Sequence, residues 1–214
     1  MLKIAIATIF PEIFPGPLGV SLLKKALDAH IWSLEIINLR DYGLKGRIDD
    51  KIFGGFPGML IKPEVIEKLI ESSPQKWNKI FYTNPTGHLL HQNYLQNIYQ
   101  QIEATPLDYS LLIICGRYEG IDARVIDFYN IEEFSLGKFV LCGGELPAMV
   151  FVEGLVRLLP KVLGNEKSLE TESFSDGDYH QYKKYTRPHV WKEQEVPAVL
   201  VSGHHKNIKK WTES

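Results

Sequence analysis

The hydrophobic residues of positions 1–160 follow two alternating patterns. Short apolar runs rich in β-branched residues are typical of strands buried on both faces, whereas apolar residues three or four positions apart are typical of helices packed on one face. The runs predict strands at Lys3–Ile9, Ser33–Leu39, Ile80–Thr83, Tyr109–Cys115 and Phe139–Cys142. The spaced patterns predict helices at Val20–Ala29, from Pro63, at Leu90–Ile102, at Ala123–Tyr129 and from Glu145 to Pro160 at the latest. This alternation predicts an α/β domain over residues 1–160, with helices on both faces of a mainly parallel sheet.

Two segments lack either pattern. Residues 41–62 are rich in glycine and charge, and a loop of about 20 residues inside a compact domain is usually functional or disordered. Residues 161–184 are polar and are predicted to form an interdomain linker. Residues 185–214 are then expected to form a small, shortened helical domain, with Ser202 capping its last helix.

Charge is distributed unevenly along the chain. The whole protein carries a formal net charge of −2, but residues 179–211 contain seven Lys/Arg and two Glu, a local balance of +5. This basic region favours contact with the phosphates of a nucleic acid, although a solvated basic surface without a partner is the alternative.

The remaining composition indicates an ordinary globular protein. The chain is 44% hydrophobic and 23% charged. No apolar run reaches the roughly 18 residues that a membrane span requires, so a cytoplasmic protein without membrane contact is expected. Cys115 and Cys142 each end an apolar run and are predicted to be buried, reduced thiols.

Three glycine-containing segments lie near predicted strand ends. They are Asn84–Gly87, Gly116–Gly120, and Leu136–Gly137 together with Cys142–Glu145. Any one of them can be explained by turn geometry, but three at one edge of a parallel sheet predict a pocket. None matches a dinucleotide or Walker fingerprint, so the expected ligand contains adenosine without phosphates.

Longer motifs in the same order resemble one known family. These motifs are CGRYEGIDARV at 115–125, LCGGELPAM at 141–149, LPKVLG at 159–164, YTRP at 185–188 and VSGHH at 201–205. Together they closely resemble the TrmD tRNA (guanine-N(1)-)-methyltransferases, which belong to the knotted SPOUT enzymes. The resemblance covers nearly the whole chain.

The resemblance implies a fold, a reaction and a set of binding residues. It implies a deep C-terminal trefoil knot, a homodimer with active sites between subunits, and methyl transfer from S-adenosylmethionine to N1 of the guanosine at tRNA position 37. The implied cofactor-binding residues are Pro85, Gly87, Gly116, Tyr118, Glu119, Leu136, Gly137, Leu141, Gly143, Gly144 and Pro147. Gly55, Pro57 and Gly58 match the family's loop that approaches the target guanine. The family also implies magnesium dependence, although no metal-binding residues are predicted.

The reaction itself requires a base for guanine N1 and a hydrogen-bond donor for O6. Guanine N1 carries a proton at neutral pH, so a positioned carboxylate must remove it, and an arginine fork suits the charge that then develops on O6. By resemblance the arginine is Arg157, whose alternative role is a solvated charge at a helix end. The family's catalytic Asp aligns with Glu172 in the run Thr171–Phe174, so Glu172 is the predicted base.

Other charged residues near the motifs have structural alternatives. Glu119 and Asp122 are candidates to form ion pairs with Arg117 or Arg124. Asp49 and Asp50 match acidic residues of the family, and a structural role is the alternative for both.

Two other functions compete with this hypothesis. A different knotted RNA methyltransferase would share the glycine-rich edge but would lack the Gly-Gly-x-Pro-Gly-Met and Tyr-Thr-Arg-Pro elements present here. A non-catalytic RNA-binding relative would not need both Arg157 and an acid at position 172. A nicotinamide dehydrogenase is disfavoured because the dinucleotide fingerprint is missing.

Overall fold

The computed structural model describes residues 1–105, 108–164 and 183–212. The chain divides into two compact units, Met1–Glu166 and Lys167–Ser214. Among the described residues, no helix is both long and apolar enough to cross a membrane. Glu172, the predicted base, lies outside the described residues.

A five-stranded parallel sheet forms the centre of the first unit, with strand order β2-β1-β6-β5-β7. Its strands are β1 (Leu2–Thr8), β2 (Trp32–Asn38), β5 (Lys79–Leu89), β6 (Tyr109–Ile114) and β7 (Glu132–Ser135). All six residues of β6 are buried, as expected for a central parallel strand covered on both faces. The parallel α/β prediction is therefore confirmed.

Five α-helices accompany the sheet, and their apolar stripes explain where they pack. They are α1 (Ser21–Asp28), α2 (Pro63–Glu71), α3 (Gln92–Glu103), α4 (Ala123–Tyr129) and α5 (Glu145–Val156). Helices α2 and α4 share one apolar cluster with Ala5, Ala7, Leu112 and Ile114. Alternate residues of the strands face the other side of the sheet. There the rings of Phe81 and Phe134 contact Phe151 of α5, with centroids 4.8 Å apart in each pair. Helices therefore cover both faces, as predicted.

The predicted strand at Phe139–Cys142 is wrong. The edge strand is β7 instead. It begins with two glutamates, so the buried Phe134 and Ser135 do not form an apolar run. Phe139 is 54% exposed and Val140 80% exposed, so this apolar run forms a loop instead of a strand. Cys142 in the same loop is exposed, which contradicts its predicted burial, whereas Cys115 is buried as predicted.

Two segments predicted as loops contain regular structure. Strand β5 continues through Asn84–Gly87, and its pairing with β7 shifts register between Thr83 and His88. Residues 41–62 include an antiparallel hairpin of β3 (Asp49–Lys51) and β4 (Met59–Ile61). Each of these strands has three residues, too few for a recognisable period.

The second unit is small where it is described. It contains a hairpin of β8 (Val190–Trp191) and β9 (Gln194–Glu195), followed by the helices α6 (Ala198–Val201) and α7 (His205–Thr212). Ser202 is the C-cap of α6, and its hydroxyl accepts a hydrogen bond from the His204 amide at 3.2 Å. The prediction that Ser202 caps the last helix is therefore wrong, because an intervening turn separates it from α7.

Candidate functional site

A cavity of about 310 Å³ opens beyond the carboxyl ends of β6 and β7, beside residues 82–86 of β5. Its position follows the rule that parallel sheets bind ligands beyond the carboxyl ends of their strands. Every residue implied as cofactor-binding lines the cavity except Gly87. Gly87 lies against the edge strand instead, because a Cβ there would stand 2.5 Å from the amide nitrogen of Phe134.

The floor of the cavity is a close junction of three chain segments. The Gly116 amide donates to the Thr83 hydroxyl at 2.8 Å, and the Gly144 amide donates to the Gly116 carbonyl at 2.9 Å. A Cβ on Gly144 would stand 1.8 Å from Thr83 Oγ1 and 2.5 Å from the Gly116 nitrogen. Glycine at 144 therefore lets this segment pack closely on Thr83 and Gly116.

A buried ion pair supports this floor. Glu145, only 2% exposed, accepts from Arg117 Nε at 3.1 Å and Nη2 at 2.8 Å, and from the Thr8 hydroxyl at 2.7 Å. Arg117 Nη1 also donates to the Cys142 carbonyl at 3.1 Å, and its guanidinium lies 4.4 Å from the Phe10 ring centroid. One arginine thus joins the segment after β6 to the segment that precedes α5.

The ion pairs differ from those considered in the sequence. Arg117 pairs with Glu145, and Asp122 pairs with Arg124 at 2.7 Å. Asp122 also caps α4 by accepting from the Arg124 amide at 3.0 Å, and its hydrogen bonds to Arg124 hold the pKa of Asp122 below its usual value. Sequence reasoning missed Thr8, Thr83 and Glu145 as site residues. An acid in the first turn of a helix is so common that Glu145 gave no separate signal.

Two titratable groups at the cavity, Cys115 and Tyr82, have raised pKa values. Burial raises the pKa of the Cys115 thiol well above its usual value, and the nearby Glu145 carboxylate adds to this effect. Burial, with a contribution from Glu133, raises the pKa of Tyr82 to about 12. Cys115 is therefore a poor nucleophile, and a structural role suits it.

The β3–β4 hairpin is attached to the rim of this cavity. The Glu119 amide donates to the Met59 carbonyl at 3.0 Å, and the Ile61 amide donates to the Gly120 carbonyl at 2.9 Å. A Cβ on Gly58 would stand 2.3 Å from Glu119 Cγ, so the loop packs directly on a cavity-lining side chain. The structure thus brings Gly58, one of three residues implied to approach the substrate, next to Glu119, one of the residues implied to bind the cofactor.

The other predicted substrate residues lie on the same loop. Gly55 and Pro57 are both exposed, and Gly55 has φ of +76° with open space where a Cβ would be. Asp49 and Asp50 belong to β3, where Asp50 lies 3.6 Å from Arg47 in an exposed ion pair.

Arg157 is not close to the cavity along its own helix. It is the half-buried C-cap of α5, whereas Gly144 precedes the first residue of that helix. A rise of 1.5 Å per residue places these two positions about 20 Å apart. Along α5 the structure therefore separates the predicted arginine from Gly144 inside the first unit.

These features define a class of protein: a parallel α/β fold with a glycine-lined ligand cavity beyond its strand ends, beside a glycine-rich loop. The chain belongs to the tRNA (Guanine-1)-methyltransferase TrmD family, whose model matches residues 2–214. It is therefore a methyltransferase, and S-adenosylmethionine is the methyl donor that membership implies.

Curated relatives agree with this assignment. The chain is similar to a tRNA (guanine-N(1)-)-methyltransferase of Neorickettsia sennetsu, with 42% identity over 98% of this chain and 91% of the relative. It is similar to one of Rickettsia akari, with 42% identity over 99% of this chain and 91% of the relative. It is also similar to one of Ehrlichia ruminantium, with 43% identity over 98% of this chain and 88% of the relative.

Proposed function

We propose that this protein transfers a methyl group from S-adenosylmethionine to N1 of the guanosine beside the anticodon, at tRNA position 37. The observation that carries the proposal is the attachment of the β3–β4 loop to the cavity rim through Glu119. A loop that matches the family's substrate loop beside a cavity that fits the donor supports a two-substrate transfer.

The residues of the cavity fit the methyl donor. The lining includes Gly116, Gly137, Gly143 and Gly144, which carry no side chains, and the described residues that line the cavity include no lysine. Glu119 contributes a carboxylate to the rim, which suits a cationic ligand. The donor, when bound, supplies a methyl group on a sulfonium that needs no metal for its activation. The protein's remaining tasks are alignment and removal of a proton.

Glu172 is proposed as the base that takes the N1 proton, and Arg157 as the donor of hydrogen bonds to O6. Both roles rest on the family resemblance and on the chemistry of guanine. The side chain of Glu172 is one methylene longer than that of the family's Asp, so its reach differs while its carboxylate is retained.

We further propose a cytoplasmic homodimer with active sites between subunits and with the family's trefoil knot. The separation of about 20 Å between Gly144 and Arg157 along α5 supports a shared site, because a second subunit can bring an arginine to the cavity. Magnesium dependence also remains a proposal, and the described ranges contain no cluster of three or more metal-binding side chains.

Mixed dimers test the shared site. Arg157→Ala and Gly144→Val homodimers are each expected to be nearly inactive. If sites form between subunits, mixing them under exchange conditions restores activity, because some sites then contain neither substitution. If each subunit is complete, mixing restores none.

Methyl transfer to tRNA transcripts tests the reaction. Labelled methyl groups should enter transcripts with guanosine beside the anticodon and not transcripts with adenosine there.

Variants of Glu172 test its proposed role as the base. Glu172→Gln should reduce turnover about 100-fold or more while cofactor affinity stays unchanged, and Glu172→Asp should turn over faster than Glu172→Gln. Glu170→Gln, which removes a neighbouring carboxylate, is the matched control and should retain activity. Normal turnover by Glu172→Gln at saturating substrates would remove Glu172 from the mechanism.

The basic segment at residues 179–211 is proposed to contact tRNA phosphates. Its local charge of +5 predicts a steep loss of tRNA affinity with salt, with each neutralised phosphate adding roughly −0.7 to −0.9 to the log–log slope. A slope near zero would show that this segment is only a solvated surface. Cofactor binding should depend far less on salt.

A further inference from the structure

The loop between β3 and β4 presents two phenylalanine side chains to solvent. Phe53 is 92% exposed and Phe56 is 69% exposed. An isolated exposed apolar residue needs no explanation, but two large rings on one loop beside a ligand cavity indicate a surface that a partner covers. The loop is therefore a candidate contact for the substrate.

Phe56 is the better placed of the two rings. Gly54 has φ of +87°, and a Cβ there would stand 3.0 Å from the Phe56 ring, so the ring rests against the Gly54 backbone. Two residues further on, Gly58 packs on Glu119 at the cavity rim. The ring thus contacts the Gly54 backbone on a loop that packs against the cavity rim, and this contact reduces the conformational entropy lost when a ligand covers the ring.

An RNA base is the ligand that this arrangement suits. A guanine whose N1 edge reaches into a cavity must leave its stack, and the neighbouring base then loses contact on one face. Proteins that bind unstacked bases replace that contact with aromatic side chains, which tolerate any base because every base has a π face.

We propose that Phe56 stacks on the base of a nucleotide adjacent to the methylated guanosine and so positions the target at the cavity. The proposal rests on the function proposed above. Phe56 acts as a binding and positioning residue, with no part in proton or methyl transfer.

Kinetics of Phe56 variants give the first test. Phe56→Ala should raise the KM for tRNA about five- to 150-fold and change kcat little, because stacking contributes mainly to binding. Phe56→Tyr and Phe56→Trp should restore most of the lost affinity, and Phe56→Leu should not. Phe128→Ala is the matched control, since it removes an even more exposed ring from α4, 79% exposed against 69% for Phe56, and should behave as wild type.

Fluorescence separates stacking from a structural effect. A 2-aminopurine placed on either side of the target guanosine is quenched when it stacks on an aromatic ring. One of the two positions should be quenched by the wild-type protein and should brighten with Phe56→Ala, while the unfolding midpoint and cofactor affinity stay unchanged. This outcome supports the proposal.

Three results would overturn the stacking role. They are unchanged fluorescence with Phe56→Ala, an effect produced by Phe53→Ala alone, and a weakened dimer with normal tRNA affinity, which would make the ring a subunit contact. Failure of the wild-type protein to methylate any guanosine transcript would instead refute the proposed function, so the two failures are distinguishable.

Discussion

The cavity floor and the β3–β4 loop both depend on glycine, but for different reasons. At the floor, Gly116 and Gly144 have backbone or hydroxyl atoms within 2.5 Å of where a Cβ would be. In the loop, Gly55 has open space around it and instead has a φ of +76°. The first region is therefore defined by packing, and the second by backbone conformation. Substitutions should then damage the donor side through the fold and the RNA side through the shape of one loop.

The largest effect is expected from the ion pair under the floor. Glu145→Ala leaves the guanidinium of Arg117, with a side chain 19% exposed, without its carboxylate, and should lower the free energy of unfolding by about 3 kcal/mol. Denaturant titration measures this loss. Asp28→Ala removes the partner of Lys24 from an exposed pair and should leave the midpoint nearly unchanged. Equal losses in the two variants would contradict the proposed support of the floor.

A methyl group on the floor itself should act next most strongly. Gly144→Ala forces Thr83 or the Gly116 backbone to move, which costs about 1–3 kcal/mol and should weaken S-adenosylmethionine binding about ten-fold or more, as measured by calorimetry. Gly164→Ala is the matched control, because no atom lies within 4 Å of its Cβ position. Unchanged cofactor affinity in Gly144→Ala would show that the floor relaxes freely.

A substitution in the β3–β4 loop should affect tRNA binding instead of cofactor binding. Gly55→Ala strains a left-handed backbone position at a cost of about 1–2 kcal/mol, and the loop can relieve this strain by changing shape. We expect the KM for tRNA to rise several-fold while cofactor affinity stays within two-fold, as measured by steady-state kinetics and calorimetry. A parallel loss of cofactor affinity would break the distinction between the two regions.

The smallest effect on stability is expected at Asp122, the N-cap of α4. Asp122→Ala removes the cap of α4 and should cost at most about 1 kcal/mol. Because the folded-state pKa of Asp122 is lowered, its contribution is complete above its usual value near 3.9 and is lost as the pH falls through the folded pKa. The difference in stability between wild type and Asp122→Ala should therefore be constant from about pH 5 to 7 and shrink in acid. A difference that grows in acid would contradict this assignment.

Sequence patterns predicted the features that depend on residue type or spacing within a short segment. Gly116 and Gly144 stand out because nearby backbone atoms leave no room for a side chain. Helix α2 stands out because Pro63 begins it and Val65, Ile66 and Leu69 form its buried stripe. Strand β7 escaped prediction because the sheet buries only its second half, so no apolar run precedes the exposed Phe139 and Val140.

Long-range contacts could not be predicted from local pattern. Thr8 and Glu145 are 137 residues apart, and only the parallel topology brings the end of β1 to the start of α5. The pairing of Arg117 with Glu145 instead of Glu119 or Asp122 has the same origin, because sequence spacing favoured the nearer acids. The role of Glu172 remains a prediction.

Glu119 belongs to both regions at once, since it lines the cavity, packs on Gly58 and holds the Met59 carbonyl through its amide. A ligand that shifts the conformational equilibrium of this residue changes the energy of the β3–β4 loop as well. Thermodynamic linkage then requires reciprocity: whatever factor the methyl donor contributes to tRNA affinity, tRNA must contribute to the affinity for the donor. If the two proposed substrates meet at Glu119, their binding is therefore expected to be coupled as well as their reaction.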